Sequence, residues 1–414
     1  MKTMWFHLMS YPHLPADFRE RYSSVWVDLP GELFDAKLAH AMYNDDLDEL
    51  QLAAELGFDA ICVNEHHSTA YGTMPAPGLM ASALARATRD TAICILGNSL
   101  ALYNPPIRVA EEVAMLDCIS GGRVIAGFPV GTPMDACFAY SQNPSTLRDR
   151  WAEAYELITR AWREPEAFAF DGRYTQMRYV NPWPKPYQDP HPPIWIPGGA
   201  SAETWSFCAE REHVYCHLSY YGYKAARDGM QGFWREVERA GRDRNPYRAG
   251  YLQFVGVAES REEAMKLYKE PAEYFYGNAL HVDPRYGRPA GYMTEASMRA
   301  GLKSQVGAAA AKSRMNMAVD KKAREIEAIV DNGYVVVGSP DEVAEQLRTI
   351  ATDLNVGHLL LLMNFGNMSR DLTEYNTRLF AEKVMPQLRD LFSEWDDPWW
   401  PTGAGPAAAE ARSA

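Results

Sequence analysis

Residues 59–96, DAICVNEHHSTAYGTMPAPGLMASALARATRDTAICIL, contain two short apolar segments on either side of an alanine-rich segment. Asp59–Val63 and Thr91–Leu96 are continuous apolar runs, which are typical of strands that are buried on both faces. Leu79–Arg89 between them has the length and the composition of a helix. A strand, a helix and a second strand in this order predict a parallel β-α-β unit.

The same alternation continues over most of the chain. Further buried strands are expected at Met4–Met9, Arg123–Phe128, Ile194–Ile196, Val214–Leu218, Tyr251–Val257 and His358–Met363. Eight strands with helices between them favour a closed (β/α)₈ barrel, the TIM barrel, over an open sheet. The sequence has no GxGxxG after a strand and no P-loop, which weakens the doubly wound alternative.

The domain organisation follows from the length. A barrel of this kind needs about 250 residues, so a chain of 414 residues has a surplus in its loops. We expect one barrel over residues 1–393, with a long loop at Tyr11–Tyr43 before a helix that Asn44 caps. Residues 281–331 are expected to form an insertion that lies over the active-site face. Residues 394–414 are expected to be a flexible tail.

Composition and charge exclude several classes of protein. The net charge of −13 repels nucleic acid and anionic membranes. No apolar run reaches the roughly 18 residues of a membrane span, and the first residues do not fit a signal peptide. The six cysteines are widely spaced without a CxxC pair, which favours reduced thiols. We therefore expect a cytoplasmic enzyme with neither a nucleic-acid nor a membrane partner.

Two histidines follow the second predicted strand directly. In a (β/α)₈ barrel the functional residues lie at the carboxyl ends of the strands, where His66 and His67 are expected. Adjacent residues on an extended backbone point to opposite sides, so one histidine can act as an acid or base at the mouth of the barrel. Alternatively, both are ordinary loop histidines. No third ligand has a suitable spacing for a metal, and we expect none.

Two further loops offer groups to a ligand. Gly97 and Asn98 follow strand three, where glycine lets a ligand approach the backbone and an amide can donate and accept hydrogen bonds. An ordinary turn has the same composition. The loop after strand five opens a helix and can cradle a phosphate, although a simple helix cap is an alternative. The residues of this cradle are Gly199, Ala200, Ser201 and Thr204.

Large apolar side chains near the predicted strand ends suggest a wall for the substrate. The residues of this wall are Tyr103, Phe128, Trp195 and Met363. A largely apolar wall fits a small organic compound, with aromatic compounds among the candidates.

Several segments together resemble the bacterial luciferase-like family of flavin-dependent monooxygenases. The segments are Gly57–Asp59, Asn64–His67, Arg108–Asp117, Ser120–Arg123, Pro192–Ile196, Gly338–Val343 and Phe380–Pro386. The resemblance extends from Met4 to Arg389. It implies a (β/α)₈ barrel with an insertion near strand seven, in agreement with the alternation of strands and helices.

The resemblance also implies a chemistry. The cofactor would be reduced FMN from a separate flavin reductase, and its reaction with O₂ would give a C4a-peroxyflavin that hydroxylates a small organic substrate or oxidises it in a Baeyer–Villiger reaction. His66 would be the acid or base, and the peptide Gly97–Asn98 would be cis and support the flavin ring. Ala200, Ser201 and Thr204 would hold the phosphate. A homodimer is expected, because family members are often dimers.

One position departs from the family pattern. Val130 stands where bacterial luciferase has an arginine for the flavin phosphate, so the Ser201 loop, alone or with another cation, must hold that group. Two other functions stay open at this point. One is hydride transfer with the deazaflavin F420 on the same barrel, and the other is a flavin-binding barrel without turnover.

Overall fold

The computed structural model describes residues 1–295, 297–299, 317, 320–405 and 408. Its strands are β1 (Lys2–Phe6), β2 (Ala60–Val63), β3 (Ala92–Leu96), β4 (Val124–Gly127), β5 (Phe168–Asp171), β6 (Gln176–Val180), β7 (Ile194–Gly198), β8 (Val214–His217), β9 (Ala249–Val257), β10 (Val335–Gly338) and β11 (His358–Leu362). Eight of them pair in parallel in the order β1-β2-β3-β4-β7-β8-β9-β11, and β11 closes the barrel on β1. The predicted (β/α)₈ fold is confirmed. The other three strands were not predicted: β5 and β6 form an antiparallel hairpin, and β10 extends the sheet beside the end of β9.

Helices surround the barrel. They are α1 (Phe18–Arg21), α2 (Ala36–Glu55), α3 (Pro77–Ala87), α4 (Ile107–Ser120), α5 (Leu147–Arg163), α6 (Ala202–Arg211), α7 (Gly222–Arg239), α8 (Arg261–Leu267), α9 (Lys269–Tyr274), α10 (Pro284–Gly287), α11 (Ile326–Asp331), α12 (Pro340–Leu354) and α13 (Arg370–Leu379). Within the described ranges, none of the helices is both long enough and apolar enough to cross a membrane.

Helix α2 begins earlier than its sequence suggested. Its cap is Asp35, whose carboxylate accepts hydrogen bonds from the backbone N–H groups of Lys37 and Leu38. Asn44 lies within the helix, where its side-chain amide donates to the carbonyl of His40. The prediction of a cap at Asn44 is therefore wrong. An asparagine inside a helix can satisfy its amide on the preceding turn, so a capping residue type does not by itself mark an end.

The strands supply two separate apolar cores. Met4 and Cys62 point into the barrel, whereas their neighbours Trp5 and Ile61 pack against the surrounding helices. All four side chains are inaccessible to solvent. Burial on both faces explains why the strands appear in the sequence as continuous apolar runs, without the alternation of a half-exposed sheet.

The chain between β9 and β10 is the large insertion, and it follows the seventh strand of the barrel as expected. The mouth is the end of the barrel where the strands have their carboxyl ends. The part of the insertion before residue 300 reaches the mouth at the loop after β4 and at the first turn of α6. Tyr292 donates a hydrogen bond to the carbonyl of Gly131 (2.7 Å), and the Ser297 hydroxyl donates to the Glu203 carboxylate (2.6 Å). Much of the predicted insertion, residues 300–316, lies outside the described residues.

The C-terminal segment lies across the opposite end of the barrel. The Trp400 ring stacks on that of His358, with centroids 5.7 Å apart and an interplanar angle of 11°. The Nε2 of His358 lies 2.9 Å from the Asp397 carboxylate. Residues 394–405 of the predicted tail thus contact the barrel, while most of residues 406–414 lie outside the described part of the chain.

Replacing Trp400 by alanine should lower the free energy of unfolding by about 2–3 kcal/mol. This lies below the range for a fully buried tryptophan, because Trp400 keeps part of its surface in water. Urea denaturation measures the change. Trp183→Ala is the matched control, since Trp183 is 84% exposed and its loss should change stability by less than about 0.5 kcal/mol. Equal effects of the two variants would contradict a stabilising role for the C-terminal segment.

Candidate functional site

His66 lies at the mouth of the barrel, directly after β2. Its side chain is 11% exposed, and its Nδ1 lies 2.9 Å from Oδ2 of Asp135. In the described part of the chain, no group forms a hydrogen bond with Nε2. This nitrogen is partly exposed, since it does not belong to the buried polar atoms that lack a partner. One nitrogen of the ring is therefore fixed by a carboxylate, and the other is accessible to a ligand.

Asp135 connects three loops of the mouth. Its side chain is buried, and its two oxygens are reached by four donors. Besides His66, these are the backbone N–H of His67 (2.9 Å), the indole N–H of Trp26 (2.8 Å) and the hydroxyl of Thr132 (2.8 Å). The donors belong to the loop before α2, the loop after β2 and the loop after β4. A single carboxylate thus sets the relative position of these three loops.

The carboxylate of Asp135 stays ionised although it is buried. Burial alone would raise its pKa, but the charge of His66 and the hydrogen bonds from His66, His67 and Thr132 outweigh burial, so that the pKa lies below its usual value. An ionised carboxylate beside Nδ1 favours the tautomer with the proton on that nitrogen. In the neutral ring the lone pair of Nε2 is then available to accept a proton at the mouth, and in the charged ring Nε2 can return it.

His67 has a different partner from its neighbour. Its Nε2 lies 2.6 Å from Oε1 of Glu65, and Oε2 of Glu65 accepts hydrogen bonds from the backbone of Ser99 (3.0 Å) and the hydroxyl of Tyr103 (3.0 Å). The side chains of His67 and Glu65 are both buried. This second pair ties the loop after β2 to the loop after β3. His66 is therefore the histidine of the pair that a ligand can reach.

Aromatic side chains enclose His66 on one side. The rings of Trp26 and Tyr71 stack with centroids 4.1 Å apart, and the His66 ring meets both with its edge, at 5.4 Å and 4.8 Å. The hydroxyls of Tyr71 and Tyr220 are hydrogen-bonded. None of these three aromatic residues could be located from the sequence, because they lie in loops without periodicity.

Gly97 and Asn98 lie where the chain leaves β3. The peptide bond Leu96–Gly97 is cis, one residue earlier than the Gly97–Asn98 bond implied by the family resemblance. A side chain on Gly97 would clash with the backbone of Gly127, so the loops after β3 and β4 approach each other closely. The side-chain amide of Asn98 donates to the hydroxyl of Tyr103 (3.0 Å), and its nitrogen is therefore engaged within the protein.

The predicted phosphate cradle connects β7 to α6. Gly199 has open space where a side chain would be, and Ala200 packs beside Gly229 of α7. The hydroxyl of Ser201 accepts a hydrogen bond from Nη2 of Arg148 (3.3 Å). Thr204 is buried in the first turn of α6. The cradle residues are thus close to one another, and a cation lies beside them.

Arg148 offers a positive charge beside the cradle, where Val130 offers none. Val130 packs on apolar side chains, so it supplies no charge, but Arg148 reaches Ser201 from the first turn of α5. No carboxylate in the described part of the chain pairs with Arg148, and its Nε is buried without a partner. The sequence analysis missed this residue, although an arginine at the start of the helix after strand four was a usable signal.

Glu203 brings a negative charge close to the same loop. Its carboxylate accepts hydrogen bonds from Ser201 (2.9 Å), Ser297 (2.6 Å) and Thr294. Burial would raise its pKa, but the hydrogen bonds from Ser297, Thr294 and Ser201 prevail and lower the pKa to about 2. The carboxylate is therefore ionised at all physiological pH values, and it anchors the insertion to the cradle.

The structure does not bring three of the four predicted wall residues to the mouth. Phe128 and Met363 are fully buried between the barrel and the helices. Trp195 lies inside the barrel near its opposite end, where its indole N–H points to the carbonyl of Trp399 (3.4 Å). Only Tyr103 remains near the site, through its bond to Glu65. For Phe128 and Met363, a shift of one residue turns a strand side chain to the other face. Trp195 faces the interior but lies near the start of β7, away from the mouth.

One buried group elsewhere has the composition of a metal site. His7, Asp46 and Glu49 lie close together between β1 and α2, with Nε2 of His7 3.0 Å from Asp46 and 3.3 Å from Glu49. However, Nδ1 of His7 accepts a hydrogen bond from the backbone N–H of Met9 (3.0 Å). The proton of the ring must then be on Nε2, which leaves this nitrogen without a lone pair for a metal. We interpret the group as a contact between β1 and α2.

A comparison with known families shows to which of them the chain belongs. The sequence profile of the luciferase-like monooxygenase family matches residues 29–356. The chain belongs to this family. It is 29% identical over 168 residues to the oxygenase component of a flavin-dependent trigonelline monooxygenase from Acinetobacter baylyi (strain ATCC 33305 / BD413 / ADP1), an overlap that covers 39% of this chain and 45% of that protein.

Two solved structures share the fold of this luciferase-like protein. The oxygenating constituent of 3,6-diketocamphane monooxygenase from Pseudomonas putida, a type II Baeyer–Villiger monooxygenase in complex with FMN, has a TM-score of 0.67 and 19% identity, with 93% of this chain and 98% of that chain covered. An F420-dependent secondary alcohol dehydrogenase has a TM-score of 0.62 and 17% identity, with 94% and 99% covered. At these identities, both likenesses concern the fold alone.

Asp135→Asn should lower the free energy of unfolding by about 2–4 kcal/mol at pH 7, because it removes a buried charge that four donors satisfy. The folded pKa of Asp135 is lowered, so its contribution is fully present above about pH 4 and is lost as the pH falls through the folded value. The difference between the two proteins should therefore shrink in acid. Urea denaturation across this pH range measures it.

Asp171→Asn is the control for this experiment, since Asp171 is exposed in the β5–β6 hairpin. It should change stability by less than about 0.5 kcal/mol. An Asp135→Asn variant as stable as this control would show that Asp135 does not hold the mouth together.

Proposed function

We propose that this protein is the oxygenase component of a two-component flavin-dependent monooxygenase, which takes reduced FMN from a separate reductase and uses O₂ to hydroxylate a small organic substrate or to oxidise it in a Baeyer–Villiger reaction. Membership of the luciferase-like family supports the proposal. The observation that carries it is the guanidinium of Arg148, which is half-buried beside Ser201 without a carboxylate partner in the described chain. Such a cation is suited to a phosphate group.

The cradle fits the phosphate of FMN. Ser201 and Thr204 supply hydroxyl groups, Gly199 leaves its backbone open, and the N-terminus of α6 favours an anion. Arg148 supplies a full positive charge. Glu203 would repel a phosphate at its own position, so we place the phosphate on the Arg148 side of the Ser201 hydroxyl.

The part of the site around His66 would bind the ring system of the flavin. Bound reduced flavin supplies the activation of O₂. Asp135 would keep a proton on Nδ1 of His66, so that Nε2 can accept or return a proton during the reaction. Trp26 and Tyr71 would shield this side of the site from water, which favours oxygen transfer over loss of peroxide.

Replacing Arg148 by methionine should weaken the binding of FMN by about 10–100-fold, because a charge-assisted contact to the phosphate is lost. The binding of riboflavin, which has no phosphate, should change by less than about threefold. Titration monitored by flavin fluorescence measures both affinities. The control is Arg150→Met on the same helix, since Arg150 lies over the ring of Tyr174. A loss of affinity that is equal for FMN and riboflavin would contradict the assignment of the phosphate site.

Replacing His66 by alanine should lower product formation by about 10²–10⁴-fold, the usual contribution of a general acid or base, and should leave FMN affinity within about threefold. The assay combines the protein with a flavin reductase, NADH, a substrate and ¹⁸O₂, and follows the label by mass spectrometry. His40→Ala, at an exposed position of α2, is the matched control. Product without label would rule out an oxygenase, and full activity of His66→Ala would contradict the role of His66 as an acid or base. No product from the unaltered protein would favour a flavin-binding barrel without turnover.

Hydride transfer with F420 is the second candidate. The F420-dependent alcohol dehydrogenase with the same fold supports it, and the Arg148 cradle would serve a phosphate of that cofactor equally well. Tighter binding of F420 than of FMN in parallel titrations would favour this function.

We also propose that the protein is a cytoplasmic homodimer. Three apolar side chains are exposed on neighbouring helices, Leu79 on α3 and Met115 and Ile119 on α4. They support a contact between two copies through this face.

A further inference from the structure

A cavity lies beside the candidate active site. Its volume is about 320 Å³, and it is formed by the loop before α2 and the loop after His67. Tyr11, Leu14 and Ala70 are buried in its wall, and Phe34, which is 50% exposed, stands at its rim. No charged side chain lines it.

The loop of residues 68–73 separates this cavity from His66. Ala70 and Thr73 line the cavity, whereas Tyr71 and Gly72 between them face the histidine. The Tyr71 ring lies 4.8 Å from the His66 ring, and a side chain on Gly72 would come within 2.9 Å of His66 Cδ2. The wall between the cavity and the histidine is therefore a single layer of residues.

The loop before α2 likewise contributes both to the cavity and to the surroundings of His66. Leu29 and Leu33 line the cavity, while Trp26 of this loop stacks on Tyr71 and donates to Asp135. The two loops are joined where the N–H of Ala70 donates to the carbonyl of Val25 (3.2 Å). Both walls of the cavity thus continue into the aromatic enclosure of His66.

The polar groups in the wall of the cavity indicate which kind of ligand it can bind. Two of its hydroxyl groups are already engaged as donors, since Thr73 donates to the carbonyl of Met9 (2.9 Å) and Thr69 to that of Val25 (3.0 Å). The Tyr11 hydroxyl accepts a hydrogen bond from the backbone of Asp35 (3.1 Å). An ionised ligand would find no opposite charge in the wall, and its burial would be costly. The volume lies at the lower end of the range for small-molecule sites.

We propose that this cavity takes up the substrate, an uncharged and largely apolar small molecule, on the outer side of the loop of residues 68–73, before the substrate moves to His66. The identity of the occupant as the substrate rests on the proposed monooxygenase function. The binding of an apolar molecule is independent of flavin and can be tested without it.

The test uses two fluorescent probes with the same skeleton. N-phenyl-1-naphthylamine is uncharged, and 8-anilinonaphthalene-1-sulfonate has an added sulfonate. On the flavin-free protein, the uncharged probe should bind at one saturable site, at least about tenfold more tightly than the sulfonate, because the cavity offers no cation. Leu33→Arg and, at the exposed rim, Phe34→Arg should each weaken it by about tenfold or more. Tyr179→Arg on β6, where Tyr179 is 66% exposed, is the matched control.

Equal affinities for the two probes, or unchanged binding by a folded Phe34→Arg variant, would overturn the cavity as the site. FMN titration of the same variants separates this result from the proposed function, because flavin affinity should stay unchanged. In the reconstituted enzyme, Phe34→Arg should raise the KM for an apolar substrate by about tenfold and leave kcat within about twofold. An unchanged KM would overturn the role in substrate binding.

Discussion

The arrangement of the loops at the mouth of the barrel depends on the hydrogen bonds that the Asp135 carboxylate accepts. A buried charge is tolerated only where donors surround it, and here the donors come from three separate loops. The same contacts that keep Asp135 ionised also fix the ring of His66 and the indole of Trp26. The orientation of the candidate acid or base and the position of its aromatic enclosure are therefore consequences of one electrostatic requirement.

The cradle of Ser201 shows how a protein with a net charge of −13 can offer a site for a phosphate. The binding of a phosphate depends on the charges near it more than on the net charge. Here Arg148 is held beside a helix N-terminus without a carboxylate partner in the described chain. Glu203 lies on the other side of Ser201 and is occupied by Ser297 and Thr294 of the insertion. A phosphate on the Arg148 side would compete for the Ser201 hydroxyl, which links cofactor binding to the anchoring of the insertion.

The barrel could be predicted from the sequence because its eight strands are buried on both faces and therefore appear as short apolar runs. The β5–β6 hairpin is partly exposed and lacks this signal. β10 is a short buried run of valines that has the same signal and could have been predicted from it. His66 and the Ser201 loop could be located because they follow strands directly. The contact between Trp26 and Asp135 could not, since it joins loops far apart in the chain and without periodicity. Phe128 and Met363 were misassigned because the pattern of a strand does not fix which face its last residue takes.

In the proposed function, FMN would lie across the mouth, with its phosphate between Ser201 and Arg148 and its ring system beside Gly97 and His66. A crystal structure of the protein with FMN is the most direct test. The predicted result is a phosphate within hydrogen-bond distance of Ser201 Oγ and the Arg148 guanidinium, with the flavin ring against the Leu96–Gly97 peptide and within reach of His66 Nε2. A flavin bound elsewhere, or a phosphate that contacts neither Ser201 nor Arg148, would contradict the account.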